Sequence, residues 1–254
     1  MEFFDTHCHL DFPEFDHDRD EVIAQCDNLG IKQILIPGVT AETWPSVVQT
    51  TALKDTYYSA LGLHPMFIDQ HKEQDIDQLE IYINDVSPVA IGEIGLDFYI
   101  DTLDRKKQVH FFEAQLDVAK KYNLPVVLHV RKAHDEVLKL LRRKELTGGF
   151  VHAFSGSEQQ AFQYIDLNFK PGFGGAISYE RANKLKSILK KISFSDFVLE
   201  TDAPDMSPSM HKEQRNSPEY LPEIFQIIVA LRQDDENELA VQLTRNSKQI
   251  LNLP

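Results

Sequence analysis

Short apolar runs alternate along the whole chain with longer stretches in which apolar residues recur every three or four positions. The short runs, at residues 3–6, 33–36, 57–61, 89–94, 126–129, 149–153, 169–173 and 197–200, read as eight β-strands. Between them the helical period predicts helices near 18–28, 43–54, 75–84, 104–122, 133–144, 158–166 and 181–190, and a final helical tail over 218–250. Strand and helix in strict alternation imply parallel strands joined by right-handed crossovers.

Several of the strand runs, such as Gln33-Ile34-Leu35-Ile36 and Val126-Val127-Leu128, are continuously apolar. That is the pattern of strands packed inside a barrel and covered outside by helices. Eight such units in 254 residues match the size of a TIM (β/α)₈ barrel, an α/β fold, and no linker, repeat or low-complexity segment divides the chain. The expectation is a single barrel domain over residues 1–254. A doubly wound open sheet is the structural alternative. Against it, the first turn has no Gly-x-Gly-x-x-Gly, and Gly172-Phe173-Gly174-Gly175 reads as a tight turn after the seventh strand.

Composition narrows the picture. Hydrophobic residues make up 42% of the chain and charged residues 26%, as in an ordinary globular protein. No stretch approaches the roughly 18 to 20 apolar residues of a membrane span, and Met1-Glu2-Phe3-Phe4-Asp5 has neither the basic start nor the apolar run of a signal peptide. The expectation is a cytoplasmic protein with no membrane partner, and a monomer. Cys8 and Cys26 form no disulfide framework. A formal charge of −14 argues against a broad basic surface for gripping nucleic acid. Bound cations would still make a pocket locally positive, so a phosphorylated substrate stays open. The basic clusters Arg105-Lys106-Lys107, Arg142-Arg143-Lys144 and Lys184 to Lys191 fall in predicted helices and read as solvated outer faces.

The chemistry lies at the ends of the predicted strands. His7-Cys8-His9 closes the first; a side-chain period of two puts both imidazoles on one face with Cys8 turned away, so the pair can bind one ion. Glu93, between Gly92 and Gly95 at the end of the fourth strand, has no apolar partner and is costly to bury unpaired. Its two oxygens can bridge two ions. His129 and His152, ending strands five and six, then complete a second site, and Asp202 after the eighth strand is suited to bind the first ion and to take a proton from its water. Catalytic groups of barrels gather at this face.

The set His7-Cys8-His9, Gly62-Leu63-His64-Pro65, Gly92-Glu93-Ile94-Gly95-Leu96-Asp97, His129-Val130-Arg131, His152-Ala153-Phe154-Ser155-Gly156 and Glu200-Thr201-Asp202-Ala203-Pro204 resembles the TatD family of metal-dependent hydrolases, within the amidohydrolase superfamily. The motifs occur in order over nearly the whole chain. The resemblance implies a TIM barrel, a pair of divalent ions and, for several members, magnesium-dependent 3′ to 5′ exonuclease or other DNase activity. Position by position it implies a first site of His7, His9, Glu93 and Asp202, a second of Glu93, His129 and His152, and a substrate-side role for His64. Two departures stand out: Ala153 occupies a position where many relatives have Cys, and residues 211–217 match only loosely the family's Arg-Asn-Pro stretch.

The expected function is therefore a metal-dependent deoxyribonuclease or phosphodiesterase acting on DNA ends. Two ions about 3.5 to 4 Å apart would hold a hydroxide, with Asp202 as ligand and general base and Glu93 as the bridge. His64, Arg131 or Lys132 would bind the non-bridging phosphoryl oxygens. Asp97 and Tyr99 are candidates to orient ligands or to line the mouth. The same hydroxide attacks carbonyl carbon, so an amide or ester hydrolase, including one for aminoacyl esters, is the alternative. A scaffold that keeps a metal for stability fits poorly, because a structural zinc site closes at four ligands. Imidazole-rich sites favour Zn²⁺ or Mn²⁺, whereas the resemblance points to Mg²⁺. No Gly-x-Ser-x-Gly elbow or Ser-His-Asp arrangement stands out.

Overall fold

A computed structural model describes residues 1–254. Its eight strands are β1 (Phe3–Asp5), β2 (Ile31–Pro37), β3 (Tyr57–Leu61), β4 (Ala90–Asp97), β5 (Val126–Arg131), β6 (Gly149–Val151), β7 (Phe169–Phe173) and β8 (Val198–Leu199), all parallel and paired in sequence order. The last strand returns to the first. The Thr6 N–H and hydroxyl both donate to the Leu199 carbonyl, at 3.1 and 3.0 Å, and further along the seam the Asp202 N–H donates to the His7 carbonyl and the His9 N–H to the Ala203 carbonyl, each at 2.8 Å. These bonds close the sheet into the expected barrel.

Helices α1 (Arg19–Asn28), α2 (Trp44–Thr51), α3 (Gln74–Val86), α4 (Arg105–Tyr122), α5 (His134–Leu141), α6 (Glu158–Asp166) and α7 (Asn183–Lys191) follow β1 to β7 in turn. The predicted tail over 218–250 is not one helix. It divides into a short 3₁₀ turn and two helices, α8 (Leu221–Arg232) and α9 (Glu236–Ile250). Gln233 adopts a left-handed conformation (φ 61) that ends α8, and the Asp235 carboxylate accepts the Asn237 and Glu238 N–H groups to start α9. The polar run Arg232-Gln233-Asp234-Asp235 was the local signal of that break.

Strand alternation divides the apolar side chains into two layers. Phe4, Leu35, Ala60, Ala90, Val127, Phe150 and Val198, from seven of the strands, pack together with Ile250 and Leu251 at the end of α9. Their neighbours Phe3, Ile34, Leu61, Ile91, Leu128, Val151 and Leu199 pack with the helices instead. The first group fills the barrel and the second joins barrel to helices, which is why the strand runs are apolar on both faces. Each fully buried Leu, Ile or Phe contributes about 1.5 to 3 kcal/mol. No helix is long and apolar enough to cross a membrane.

Candidate metal centre

The loop after β1 is held in extended form by an isolated parallel bridge between Cys8 and Ala203. Cys8 is buried against the helical layer, and the rings of His7 and His9 turn the other way with their Nε2 atoms 3.3 Å apart. The predicted face-sharing of this pair is thus present. Glu93 differs from expectation: β4 continues to Asp97, so Glu93 lies within the strand, not at its end. A register shift between Ile91 and Ile94 breaks the ladder there, and the Glu93 N–H bonds to the Gly38 carbonyl at 2.9 Å. Such a bulge re-aims a side chain out of the regular alternation. It also needs Gly92, since a Cβ at that position would meet Val127 Cβ at 2.6 Å. His129 likewise lies inside β5, while His152 and Asp202 follow β6 and β8.

Glu93 splays its two oxygens toward different imidazoles. Oε2 is 3.0 Å from His7 Nε2 and 3.6 Å from His9 Nε2, whereas Oε1 is 3.0 Å from His129 Nδ1 and 3.2 Å from His64 Nε2. Asp202 Oδ1 faces the first side, 3.8 Å from His7, 4.0 Å from His9 and 3.5 Å from His152 Nε2. Three groups of donor atoms lie within 4.8 Å of one another: His7, His9 and Asp202; His7, Glu93 and His152; His64, Glu93 and His129. All six sequence-predicted ligands therefore meet. His129 and His152 share no group, each joining Glu93 from a different side, and the His152 ring stacks on His7 at 3.5 Å. His64, read from the sequence as a substrate contact, lies as close to Glu93 as the ligands do.

The electrostatics follow from seven ionisable groups, the six candidate ligands and His64, packed without a lysine or arginine among them. Burial works against charge on Glu93, but the His64, His7 and His152 rings hold its carboxyl well below the ordinary range. Burial likewise opposes charge on Asp202, and His152 outweighs it to lower that carboxyl. Burial pushes His9 down to about 3 and also lowers His64, which favours the neutral imidazole, the form that binds metal. His152 goes the other way. Burial disfavours its charge, but Asp202, Glu200 and Glu93 raise it well above the usual value. Its proton serves as counter-charge for the carboxylates. A divalent cation would supply that charge instead, with release of the proton. The Nε2 atoms of His7, His9 and His152 converge on the Glu93 and Asp202 carboxylate oxygens, an imidazole and carboxylate set suited to a divalent ion. The donor set fits divalent metal.

A ring of supporting contacts surrounds it. Asp97 Oδ2 is 3.1 Å from His129 Nε2 and Asp97 Oδ1 accepts the Tyr99 N–H at 2.9 Å. Burial opposes the Asp97 charge, but these two bonds hold its carboxyl low; burial also opposes charge on His129, and its bonds to Asp97 and Glu93 outweigh that and raise it. A carboxylate on the far nitrogen of a ligand imidazole fixes its ring and tautomer. Sequence reasoning assigned no role to Glu200 or Asp5. Glu200 Oε1 sits 3.3 Å from His152 Nδ1, out of line for a hydrogen bond, and accepts the Ala153 N–H at 2.7 Å. Asp5 accepts from the His7 and Thr201 N–H groups and the Thr201 hydroxyl, joining both ligand-bearing loops. The acidic residues inside Asp5-Thr6-His7 and Glu200-Thr201-Asp202 were the available signal. A cavity of about 480 Å³ opens over the centre between His129, Arg131, His152, Asp202 and Met206.

A parallel (β/α)₈ barrel that gathers imidazoles and carboxylates toward the carboxyl ends of its strands is the architecture of a metal-dependent hydrolase. The family model for TatD related DNase matches residues 4–252. The chain belongs to the TatD family of metal-dependent hydrolases. It is 37% identical, over 99% of its own length and 98% of the relative's, to the uncharacterized metal-dependent hydrolase YjjV of Escherichia coli K12. The crystal structure of YjjV superposes with a TM-score of 0.96, covering 99% of this chain and 98% of that one. The 3′-5′ ssDNA/RNA exonuclease TatD of Erwinia tasmaniensis is 32% identical over 98% of this chain and 100% of its own. An organophosphorus hydrolase from Deinococcus radiodurans, 13% identical with a TM-score of 0.68 over 98% of this chain and 92% of that one, shares the fold alone.

Proposed function

We propose that this hydrolase cleaves phosphodiester bonds at DNA ends in the 3′ to 5′ direction, with two divalent ions that share Glu93. The splayed Glu93 carboxylate carries the two-ion part of this reading, because its oxygens address two separate sets of imidazoles. His7, His9 and Asp202 would hold one ion with Glu93, and His129 would hold the other with Glu93; His152, assigned to the second site by the family resemblance, lies beside His7 and Asp202 and would reach the first. Bound divalent ions supply Lewis-acid charge at the phosphoryl oxygens and ease ionisation of water. Asp202, kept ionised by its imidazole neighbours, is placed to accept the proton of the attacking water. His64 and Arg131 orient the phosphoryl group.

Two observations support the substrate class. Relatives from Erwinia tasmaniensis and Erwinia billingiae carry the name 3′-5′ ssDNA/RNA exonuclease. At the mouth, the Arg131 guanidinium and the Lys132 ammonium lie 3.7 and 4.7 Å from the centre of the half-exposed Tyr99 ring. Two cations gathered beside an ionised metal centre suit a phosphate oxygen, and the ring suits a base.

The decisive assay incubates metal-reconstituted wild type and Asp202→Asn with end-labelled single- and double-stranded DNA and with a panel of esters and amides. The expected result is stepwise shortening of the labelled strand by wild type and its loss in Asp202→Asn. Activity confined to esters or amides overturns the phosphodiesterase reading in favour of carbonyl hydrolysis.

A further inference from the structure

A second groove leads away from the centre and has no part in the chemistry described above. The cavity over the candidate ligands shares Ala153, Ser155, Asp205 and Met206 with a neighbouring groove of about 720 Å³, formed by the loop after β6, the segment between β7 and α7, and the loop after β8. Phe154, Ala176 and Leu185 give it apolar lining, and Tyr179, Arg181 and Lys184 line its α7 side. Arg181 and Lys184 are exposed and neither makes an ion pair; the Lys184 ammonium donates to the Ser155 carbonyl at 3.1 Å and the Arg181 guanidinium stands 5.8 Å from the Tyr179 ring centre. The Tyr179 hydroxyl donates to the Ser207 carbonyl at 3.0 Å, which fixes that ring against the loop after β8. Asp205 and Glu213 line the groove as well.

We propose that this groove holds the stretch of single-stranded nucleic acid that leads to the scissile bond, with phosphates along Arg181 and Lys184 and a base against Tyr179. The proposal rests on the phosphodiesterase reading. A polymer must leave the reacting centre by some path, and this groove is continuous with the centre through four shared residues. Its volume falls in the range of about 300 to 1,000 Å³ that ligand sites occupy. Cations beside an aromatic ring are the chemistry by which single strands are held without sequence preference. With a net charge of −14, this pair is a local feature and not part of a basic surface. Asp205 and Glu213 repel phosphate, which confines the backbone to the α7 side and leaves the apolar lining to sugars and bases.

The test uses the metal-reconstituted wild type and the double variant Arg181→Ala/Lys184→Ala, whose substituted side chains are exposed and outside the core. Cleavage is measured on bis(4-nitrophenyl) phosphate and on single-stranded oligonucleotides of increasing length, and binding by fluorescence anisotropy of a labelled, uncleavable phosphorothioate strand. Wild-type kcat/KM is expected to rise with strand length until the groove is filled. The double variant is expected to lose about tenfold on long strands and nothing on the small diester, and to lower the slope of log affinity against log salt by about 1.4, at about 0.7 per phosphate contact. An equal loss on both substrates, or no loss on either, overturns the groove as a strand site. If wild type cleaves no phosphodiester, the functional reading fails by itself, and anisotropy still decides the groove: unchanged binding and salt slope in the variant overturn it, weakened binding with the smaller slope supports it.

Discussion

Glu200 accepts the Ala153 N–H at 2.7 Å, which ties the loop carrying Asp202 to the loop carrying His152. The bond fixes the backbone one residue past an imidazole of the centre, where Ala153 is held at a left-handed φ of 43. It also explains Gly172 on the neighbouring strand, where a Cβ would come within 2.1 Å of Glu200 Oε2.

Glu200→Ala and Gly172→Ala should therefore harm the metal centre without touching a ligand. Lost outer support of this kind weakens metal affinity by about 10- to 100-fold. Metal titration followed by calorimetry measures it directly. Wild-type affinity in both variants would show that Glu200 serves only to pack the barrel.

Removal of metal should destabilise the fold, because the ligands come from loops after β1, β6 and β8 and from within β4 and β5. A ligand present at about 100 times its Kd stabilises by about 2.7 kcal/mol. For a chain of this size that corresponds to a fall in Tm of roughly 5 to 10 °C on chelation. Calorimetric scans with and without EDTA test this; coincident transitions would mean that the centre forms equally well empty.

His134 offers a pH dependence separate from the metal. Burial, and then Lys184, push its pKa from 6.5 down to about 4. Between those values the unfolded chain binds a proton that the folded chain does not, so stability is full above about 6.5 and falls as pH drops toward 4. The loss is on the order of 3 kcal/mol. In His134→Phe this part of the slope should vanish, whatever the baseline cost of leaving the Tyr164 hydroxyl, 3.3 Å from His134 Nδ1, without its partner. Urea midpoints of the two proteins across pH 4 to 7 give the comparison, and parallel slopes would refute it.

Trp44, fully buried, donates its indole N–H to the Gly62 carbonyl at 3.0 Å, two residues before His64. Trp44→Phe removes that donor and leaves a gap. The expected cost is about 2 to 3 kcal/mol. Urea unfolding followed by circular dichroism reads it, and a change below about 0.5 kcal/mol, the range of neutral surface substitutions, would show that the bond contributes nothing.

The barrel was legible because period and length are local properties. Each apolar run had to be a strand buried on two faces, and eight in alternation with helices left few topologies. The ligand types were legible for a related reason: His-x-His and isolated acidic residues at strand ends make poor core. The division of the final tail was visible only as a polar run around Asp235, weaker than the apolar period on either side of it.

Glu93 shows where local reading stops. Its neighbours mark it as a buried acid, yet its aim depends on the shift between Ile91 and Ile94, a property of the pairing between β4 and β5. His152 shows the same limit, since Asp202 and Glu200 reach it only over the intervening strand β7. Residue order and chemistry thus determined by themselves the alternation of elements, the two-faced burial of the strands and which side chains could bind metal. Tertiary structure alone decided which donors face one another. Closure of the barrel brings Thr6 within 3.0 Å of Leu199, 193 residues away, and donor distances at such a seam are set by strand register and barrel closure, which no local stretch of sequence encodes.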